Sequence, residues 1–336
     1  MEIFRDSAFP SDFARGSHLG AVLPADGHDD ARNQEVAAGP GVTFPDRAAI
    51  ERAAALIDDH IRRTPTIDVE YAPGKSVSLK LEHLQHTGSF KPRGAFYSVL
   101  SAPVKPLLLV AASGGNHGLA VAHVGAALGI ATEIFVPATA PQVKVDGIRG
   151  RGAKVVLVGS SYAEAHRASI IRANETGAFQ IHAYDGLPTL TGQGTLGREI
   201  ESQLPDADAI VVAVGGGGLM GGIASWWAGR AAIIAVERVG CPTFRQALKA
   251  GGPVDVEVSG MAADSLGARR IGDSGLAAAV HAGASSVLVK PEDITAARRF
   301  LWDQLRIVAE PGGAVALAAV LSGAHVPAPG SRTVVV

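Results

Sequence analysis

The residue type best placed for chemistry in this chain is a lysine, in the run Gly88-Ser89-Phe90-Lys91-Pro92-Arg93-Gly94-Ala95. Proline suits the first turn of a helix, so the run predicts a helix that opens at Lys91–Pro92. Such a lysine is either a solvated loop residue or, in a cleft near the positive end of a helix, one with a lowered pKa that is available as a neutral amine. That is the nucleophile that Schiff-base chemistry needs.

Two further loops carry the same kind of signal. Ser113-Gly114-Gly115-Asn116-His117-Gly118 follows the apolar run Leu107–Ala112. It reads as a strand-to-helix turn whose free amides suit a carboxylate, with Asn116 also able to cap the helix. Gly215-Gly216-Gly217-Gly218 follows the apolar run Ala209–Val214 and precedes a helix from Leu219. Four glycines let the backbone approach an anion closely, and the helix start adds unpaired N–H groups and the positive end of a dipole, so a phosphate is expected there. Gly216-x-Gly218-x-x-Gly221 also satisfies the dinucleotide fingerprint, with Glu237 about 20 residues on as a ribose-binding acid. On that stretch alone a nicotinamide-dependent oxidoreductase is open, although almost any run of four glycines meets the pattern.

The lysine run and the Ser113–Gly118 turn decide between these. With Gly192-Gln193-Gly194-Thr195 and Glu310-Pro311-Gly312-Gly313-Ala314, they resemble the fold-type-II pyridoxal-phosphate enzymes, the tryptophan-synthase-β-like family. The branch most similar is the threonine/serine dehydratases, or ammonia-lyases, and the likeness runs from about Val42 to the last residue. The resemblance implies an α/β fold of two domains, each a mostly parallel sheet flanked by helices, with pyridoxal 5'-phosphate between them. Domain bounds of 42–107 plus 188–336 for the large domain and 108–187 for a small mobile one follow from it, after a flexible arm over 1–41.

The same resemblance implies roles residue by residue. Lys91 would hold the cofactor as a Schiff base, and Phe90 would lie against its ring. Asn116 would hydrogen-bond the ring 3-hydroxyl, and Gly215, Gly216, Gly217, Gly218 and Leu219 would hold the phosphate. Glu310 would border the pocket. Ser113, Gly114, Asn116 and His117 form the turn expected to bind the substrate carboxylate, the His117 side chain having only local packing to do. Gly192–Thr195 is expected to shape the cleft between domains. The implied reaction is dehydration and deamination of a 3-hydroxy amino acid of the L-threonine or L-serine type to a 2-oxo acid and ammonia. β-Replacement, as in cysteine synthases, and an inactive cofactor-binding relative are the alternatives within the fold.

Three departures from the family pattern matter. Serine racemases of the family carry a serine two positions before the asparagine, where this chain has Gly114, so elimination driven by Lys91 alone is favoured over two-base racemisation. Several relatives bind a cation through a glutamate, a carbonyl and an aspartate. Glu237 and the Cys241 carbonyl fit the first two positions, but the third is Thr243, so no metal ligands are assigned and the cation site stays open. The final run Val334–Val336 stops short of the Ser-Gly-Gly-Asn turn that supplies the family's ring-nitrogen partner, which leaves a truncated chain or an enzyme without that partner.

The elements that must position these loops show in the hydrophobic pattern. Strand-sized apolar runs at Val77–Leu81, Leu107–Ala112, Glu133–Val136, Lys154–Val158, Ile181–Tyr184, Ala209–Val214, Ile233–Glu237, Val287–Val289 and Val334–Val336 alternate with helical patterns. The latter include His117–Leu128, Tyr162–Asn174, Leu219–Ala228 and Ile294–Leu305. Such alternation predicts parallel sheets covered by helices, and so many strands predict two layers with a cleft. Asp46 is expected to cap a first helix running to Ile61. The chain is 47% hydrophobic and 18% charged, enough for a sizeable core and too little charge for disorder. A net charge of −2 gives no footprint for nucleic acid and no basic strip for a membrane surface. Cys241, the only cysteine, excludes a disulfide framework. No apolar run spans a bilayer and no secretory h-region opens the chain, so a cytoplasmic location is expected. The partners expected are an amino acid substrate and, from the family, further copies of the chain as a dimer or tetramer.

Overall fold

Alternate residues of the strand Ala207–Ala213 enter two different cores: Ile210 and Val212 one, Ala209 and Val211 the other. The strand Ala232–Arg238 does the same, with Ile233 and Ala235 against Ile234 and Val236. A strand apolar on both faces must be covered on both faces, and that requirement sets the layering throughout. The computed structural model describes residues 41–336, so the arm expected over 1–41 lies outside the described residues except for its last.

The chain opens with α1 (Arg47–Ile57), β1 (Thr66–Ala72), β2 (Lys75–Lys80) and α2 (Lys91–Leu100). It continues through β3 (Leu108–Ala112), α3 (Asn116–Leu128), β4 (Ala131–Val136), α4 (Gln142–Arg149), β5 (Lys154–Leu157), α5 (Tyr162–Thr176) and β6 (Phe179–Gln180). Then come α6 (Leu187–Gln203), β7 (Ala207–Ala213), α7 (Gly218–Trp227), β8 (Ala232–Arg238) and α8 (Thr243–Ala250). After an irregular stretch the last elements are α9 (Asp273–His281), β9 (Ser285–Val289), α10 (Pro291–Leu305), α11 (Pro311–Leu321) and β10 (Arg332–Val335).

Two sheets result. One has six strands in the order β1-β2-β10-β7-β8-β9, parallel except for the β1–β2 hairpin. The other has four parallel strands in the order β5-β4-β3-β6. On the larger sheet, one core packs residues of α1, α6, α7, α8 and α9, and the other packs α10 and α11. On the smaller sheet, Leu109 and Ala111 face α2, α3 and α4, whereas Val110 and Ala112 face Ala165 of α5. This is the α/β architecture of two helix-covered sheets that the pattern implies.

Local departures have physical reasons. Asp46 caps α1, its Oδ1 accepting from the Ala49 amide at 2.7 Å, but the helix stops at Ile57 and a single tighter turn, Asp58–His60, follows. The strand expected at Ile181–Tyr184 is not one: β6 ends at Gln180, and the His182 ring nitrogen Nδ1 accepts from the amides of Tyr184 (3.4 Å) and Asp185 (2.9 Å), folding the chain into a turn. β1 is missing from the expected set although Ile67, Val69 and Tyr71 alternate with polar residues, the signature of a half-buried strand. Gly192–Thr195 lies inside α6 and is buried there. A Cβ at Gly192 would stand 2.5 Å from the Arg93 carbonyl oxygen, and one at Gly222 2.6 Å from the Gly194 nitrogen. These glycines therefore set how closely α6 approaches α2 and α7, and only Gln193 of the motif reaches the cavity described next.

Candidate active site

Lys91 is the first residue of α2, with Pro92 in the opening turn where a missing N–H costs nothing. Its amine points into a cavity of about 440 Å³. The nitrogen donates to the Ala183 carbonyl oxygen at 2.6 Å and stands 5.1 Å from the centre of the Phe90 ring. Burial alone lowers its pKa to about 8, because an ammonium there has lost its water. The shift runs in the direction expected from the sequence, towards the neutral amine, and its cause is desolvation rather than a charged neighbour.

The other expected cofactor contacts meet on the same cavity. Phe90, Asn116, Gly215, Gly216, Gly217, Gly218, Leu219 and Glu310 all line it. Gly217 has φ 86°, a left-handed conformation that glycine adopts without strain, and it turns the chain from β7 into α7. The first amides of α7 have no acceptor within the helix, and its first residues, Gly218, Leu219 and Met220, line the lysine's cavity. Tyr184 roofs this loop: a Cβ on Gly216 would stand 2.2 Å from its ring, and one on Gly218 2.3 Å from its carbonyl oxygen.

The substrate-turn residues divide. Asn116 lines the cavity and donates from Nδ2 to Glu310 Oε1 at 2.6 Å, which joins α3 to the start of α11. Burial first of all raises the pKa of Glu310, with the Asn116 hydrogen bond opposing it. Ser113 Oγ accepts from the Gly115 amide at 3.2 Å, which shapes the turn rather than the cavity wall. The His117 ring turns away: Nε2 donates to the Ile181 carbonyl oxygen at 2.9 Å, and burial, reinforced by the charge of Lys91, lowers its pKa to about 3. A Cβ at Gly114 would meet Val136 Cγ1 at 3.1 Å, so the turn is packed for glycine.

Several lining residues carry no motif and were not legible in the sequence. Tyr184 comes from the turn after β6, and Ser265 and Leu266 come from the irregular stretch between α8 and α9. That stretch is admitted by glycines: a Cβ at Gly312 would stand 2.4 Å from Ser265 Oγ, and one at Gly215 3.1 Å from Leu266 Cα. Beside it, Asp264 pairs with Lys144 of α4 at 3.0 Å.

Glu237 is not available to a ribose. Its carboxylate is fully buried and accepts from the Phe244 amide (2.6 Å), the Arg245 amide (2.9 Å), Ser286 Oγ (3.2 Å) and Thr243 Oγ1 (3.3 Å). It caps α8, and burial still raises its pKa. The nicotinamide reading of the glycine fingerprint therefore fails on its acidic partner. The Cys241 thiol is buried and donates to the Ala268 carbonyl oxygen at 3.1 Å.

The residues present suit a phosphorylated pyridine aldehyde. A desolvated amine stands opposite a glycine loop at a helix start, and three lining residues have buried polar atoms without partners among the described residues: Thr87 Oγ1, Ser89 Oγ and Gln193 Oε1. Comparison with known proteins agrees. The family model described as pyridoxal-phosphate dependent enzyme matches residues 57–336. The chain belongs to this family. It is 37% identical over 254 residues to an L-threonine ammonia-lyase of Thermotoga maritima, covering 74% of this chain and 63% of that relative's length. It is 34% identical over 301 residues to a phenylserine dehydratase of Ralstonia pickettii, covering 86% and 91% of the two chains. The structure of maize serine racemase superimposes with a TM-score of 0.81 at 30% identity, covering 86% of this chain and 91% of the racemase. As a family member, the protein takes pyridoxal phosphate as its cofactor. No helix among the described residues is long and apolar enough to cross a membrane.

Proposed function

We propose that this protein converts a 3-hydroxy amino acid, L-threonine or L-serine in type, to a 2-oxo acid and ammonia. The observation that carries the reading is the desolvated Lys91 amine facing the glycine loop across one cavity, with a packed glycine at position 114. The names of the ammonia-lyase and dehydratase relatives support it.

Pyridoxal phosphate, when bound, accepts the electron pair left at the substrate α-carbon. Lys91 would hold the cofactor at rest and, once freed by the substrate amine, take the α-proton on Nζ. A pKa of about 8 suits both tasks, since an appreciable share of the amine is neutral near pH 8. The α7 amides behind Gly215–Leu219 would hold the phosphate, and Phe90 would pack on the ring. Asn116 would orient the ring hydroxyl and Glu310 would border it. The Ser113–His117 turn would hold the substrate carboxylate through the unpaired amides at the start of α3, where Asn116 lines the cavity. The 3-hydroxyl leaves as water, and water later displaces ammonia, so the net change is hydroxy amino acid to 2-oxo acid plus ammonia.

Two-base racemisation is disfavoured by Gly114, which has no proton to give and no room for a side chain without moving Val136. In the same reading the six-stranded part, 42–107 with 188–336, is the cofactor domain and 108–187 the mobile one. The protein works in the cytoplasm as a dimer or tetramer. The test is to incubate the purified protein with L-threonine or L-serine and measure 2-oxo acid and ammonia, with and without sulfide. Equal yields of both products support the reading, and a thiol amino acid formed in place of 2-oxo acid would favour β-replacement.

A further inference from the structure

Glu82 and Arg93 are 11 residues apart and meet twice: Arg93 Nε donates to Glu82 Oε2 and Nη2 to Oε1, each at 2.8 Å. Both are buried, Arg93 completely. The segment between them carries Thr87, Gly88, Ser89, Phe90 and Lys91, all on the cavity wall. The bidentate pair therefore fastens the two ends of the loop that presents the lysine. Such forks hold geometry as well as charge.

Two observations show that this loop is held rather than relaxed. Thr87 has φ 65°, a left-handed conformation that a β-branched residue adopts only when its surroundings impose it. The pair is also backed from behind. Arg93 Nη2 reaches Glu199 Oε2 at 2.9 Å, Lys80 Nζ reaches Glu199 Oε1 at 2.5 Å, and Thr64 Oγ1 donates to Glu82 Oε1 at 2.5 Å. Two buried cations and two buried anions thus balance in one cluster beneath α2, at its joint with α6. Burial lowers the Lys91 pKa, and no charge of this balanced cluster is among the causes of that shift.

We propose that the Glu82–Arg93 pair is a positioning device for the Lys91 amine, holding the strained loop 82–93 so that Nζ meets the cofactor and the substrate α-carbon in one fixed place. The inference rests on Lys91 being the cofactor lysine.

The test compares two charge-balanced double variants of the full-length holoprotein. Glu82→Gln with Arg93→Met opens the loop fastening and leaves the Lys80–Glu199 pair. Lys80→Met with Glu199→Gln leaves the fastening and removes its backing pair. Replacing a whole buried pair leaves no lone charge, so both are designed to fold. The readouts are kcat, KM, and the position and ellipticity of the bound-cofactor absorption band. A displacement of about 1 Å costs about a hundredfold in rate. The first variant should therefore lose kcat on that order, with KM within about threefold and a weakened ellipticity, while the second stays within about threefold of wild type. Equal effects in both variants, or an unchanged kcat and band in the first, overturn the proposal. If the first variant does not fold, Glu82→Asp, which shortens one arm and keeps the charge, should give the same loss of ellipticity, and an unaltered band there overturns the proposal equally. Peptide mapping of borohydride-reduced wild type separates this from failure of the underlying reading: a cofactor found elsewhere than Lys91 refutes that reading, whereas a changed band with the cofactor on Lys91 tests the fastening even if no 2-oxo acid forms.

Discussion

The Lys91 amine and the Ala183 carbonyl oxygen lie 2.6 Å apart, joining the first residue of α2 to the turn that leads from β6 into α6. The next residue, Tyr184, covers Gly216. One short turn therefore touches both the Lys91 nitrogen and the glycine loop, and links the small sheet to α6.

Cofactor capture should follow the protonation of Lys91. Its pKa is lowered to about 8, so the amine is protonated and inert below that pH and free above it. For protein stripped of its cofactor, the rate of regaining the pyridoxal-phosphate band should rise with pH through about 8 and level off above it. Stopped-flow absorbance measures this. A midpoint near the ordinary lysine value would show that the amine is solvated.

The glycine loop has no room for a side chain. Gly218→Ala would place a Cβ 2.3 Å from the Tyr184 carbonyl oxygen, a backbone atom that cannot swing aside. Thermal melting should show a loss of about 1–3 kcal/mol, and titration should show cofactor affinity at least about fivefold weaker if about 1 kcal/mol of that falls on the contacts the loop makes to the cofactor.

His117 should matter for acid stability and little for catalysis. Its folded pKa of about 3 lies below the unfolded value of 6.5, so the unfolded chain takes up the extra proton. Stability is therefore unaffected above about pH 6.5 and falls as pH drops towards 3. His117→Gln, which keeps an N–H for the Ile181 carbonyl, should flatten that fall in urea denaturation at pH 4 to 6 and leave kcat at pH 8 within about threefold, because the His117 ring points to Ile181 and does not line the cavity.

Gly114 predicts the stereochemical outcome. With no side-chain hydroxyl at position 114 to return a proton, L-serine should be consumed without D-serine appearing. Chiral chromatography of a reaction stopped at partial conversion decides it, and accumulation of D-serine at a rate comparable to 2-oxo acid would mean that some other group supplies the proton.

The layered α/β fold, the lysine run and the glycine loop of the cavity were legible because their signals are local. A glycine run after a buried strand and a Lys-Pro pair at a helix start each imply their backbone geometry within a few residues. The rest of the site depends on contacts between distant segments. Arg93 stands inside the lysine motif, yet its partner Glu199 is 106 residues away and looks like an ordinary charge on α6. Tyr184 ends an apolar run that predicts a strand, and nothing in Ile181–Tyr184 reveals that the His182 ring captures the next amides. Ser265 and Leu266 belong to a stretch without periodicity, and only the space left by Gly312 and Gly215 brings them to the cavity. Glu237 was legible as the acid at a strand end, but its capping of α8 was not.

The central claim is that Lys91 is the lysine that holds pyridoxal phosphate. Borohydride reduction of the holoprotein followed by peptide mass mapping tests it most directly. The account predicts loss of the near-visible band and one phosphopyridoxyl group, on the peptide that contains Lys91. A modified Lys80, the other buried lysine of the site's surroundings, or a protein that takes up no pyridoxal phosphate at all, would contradict it.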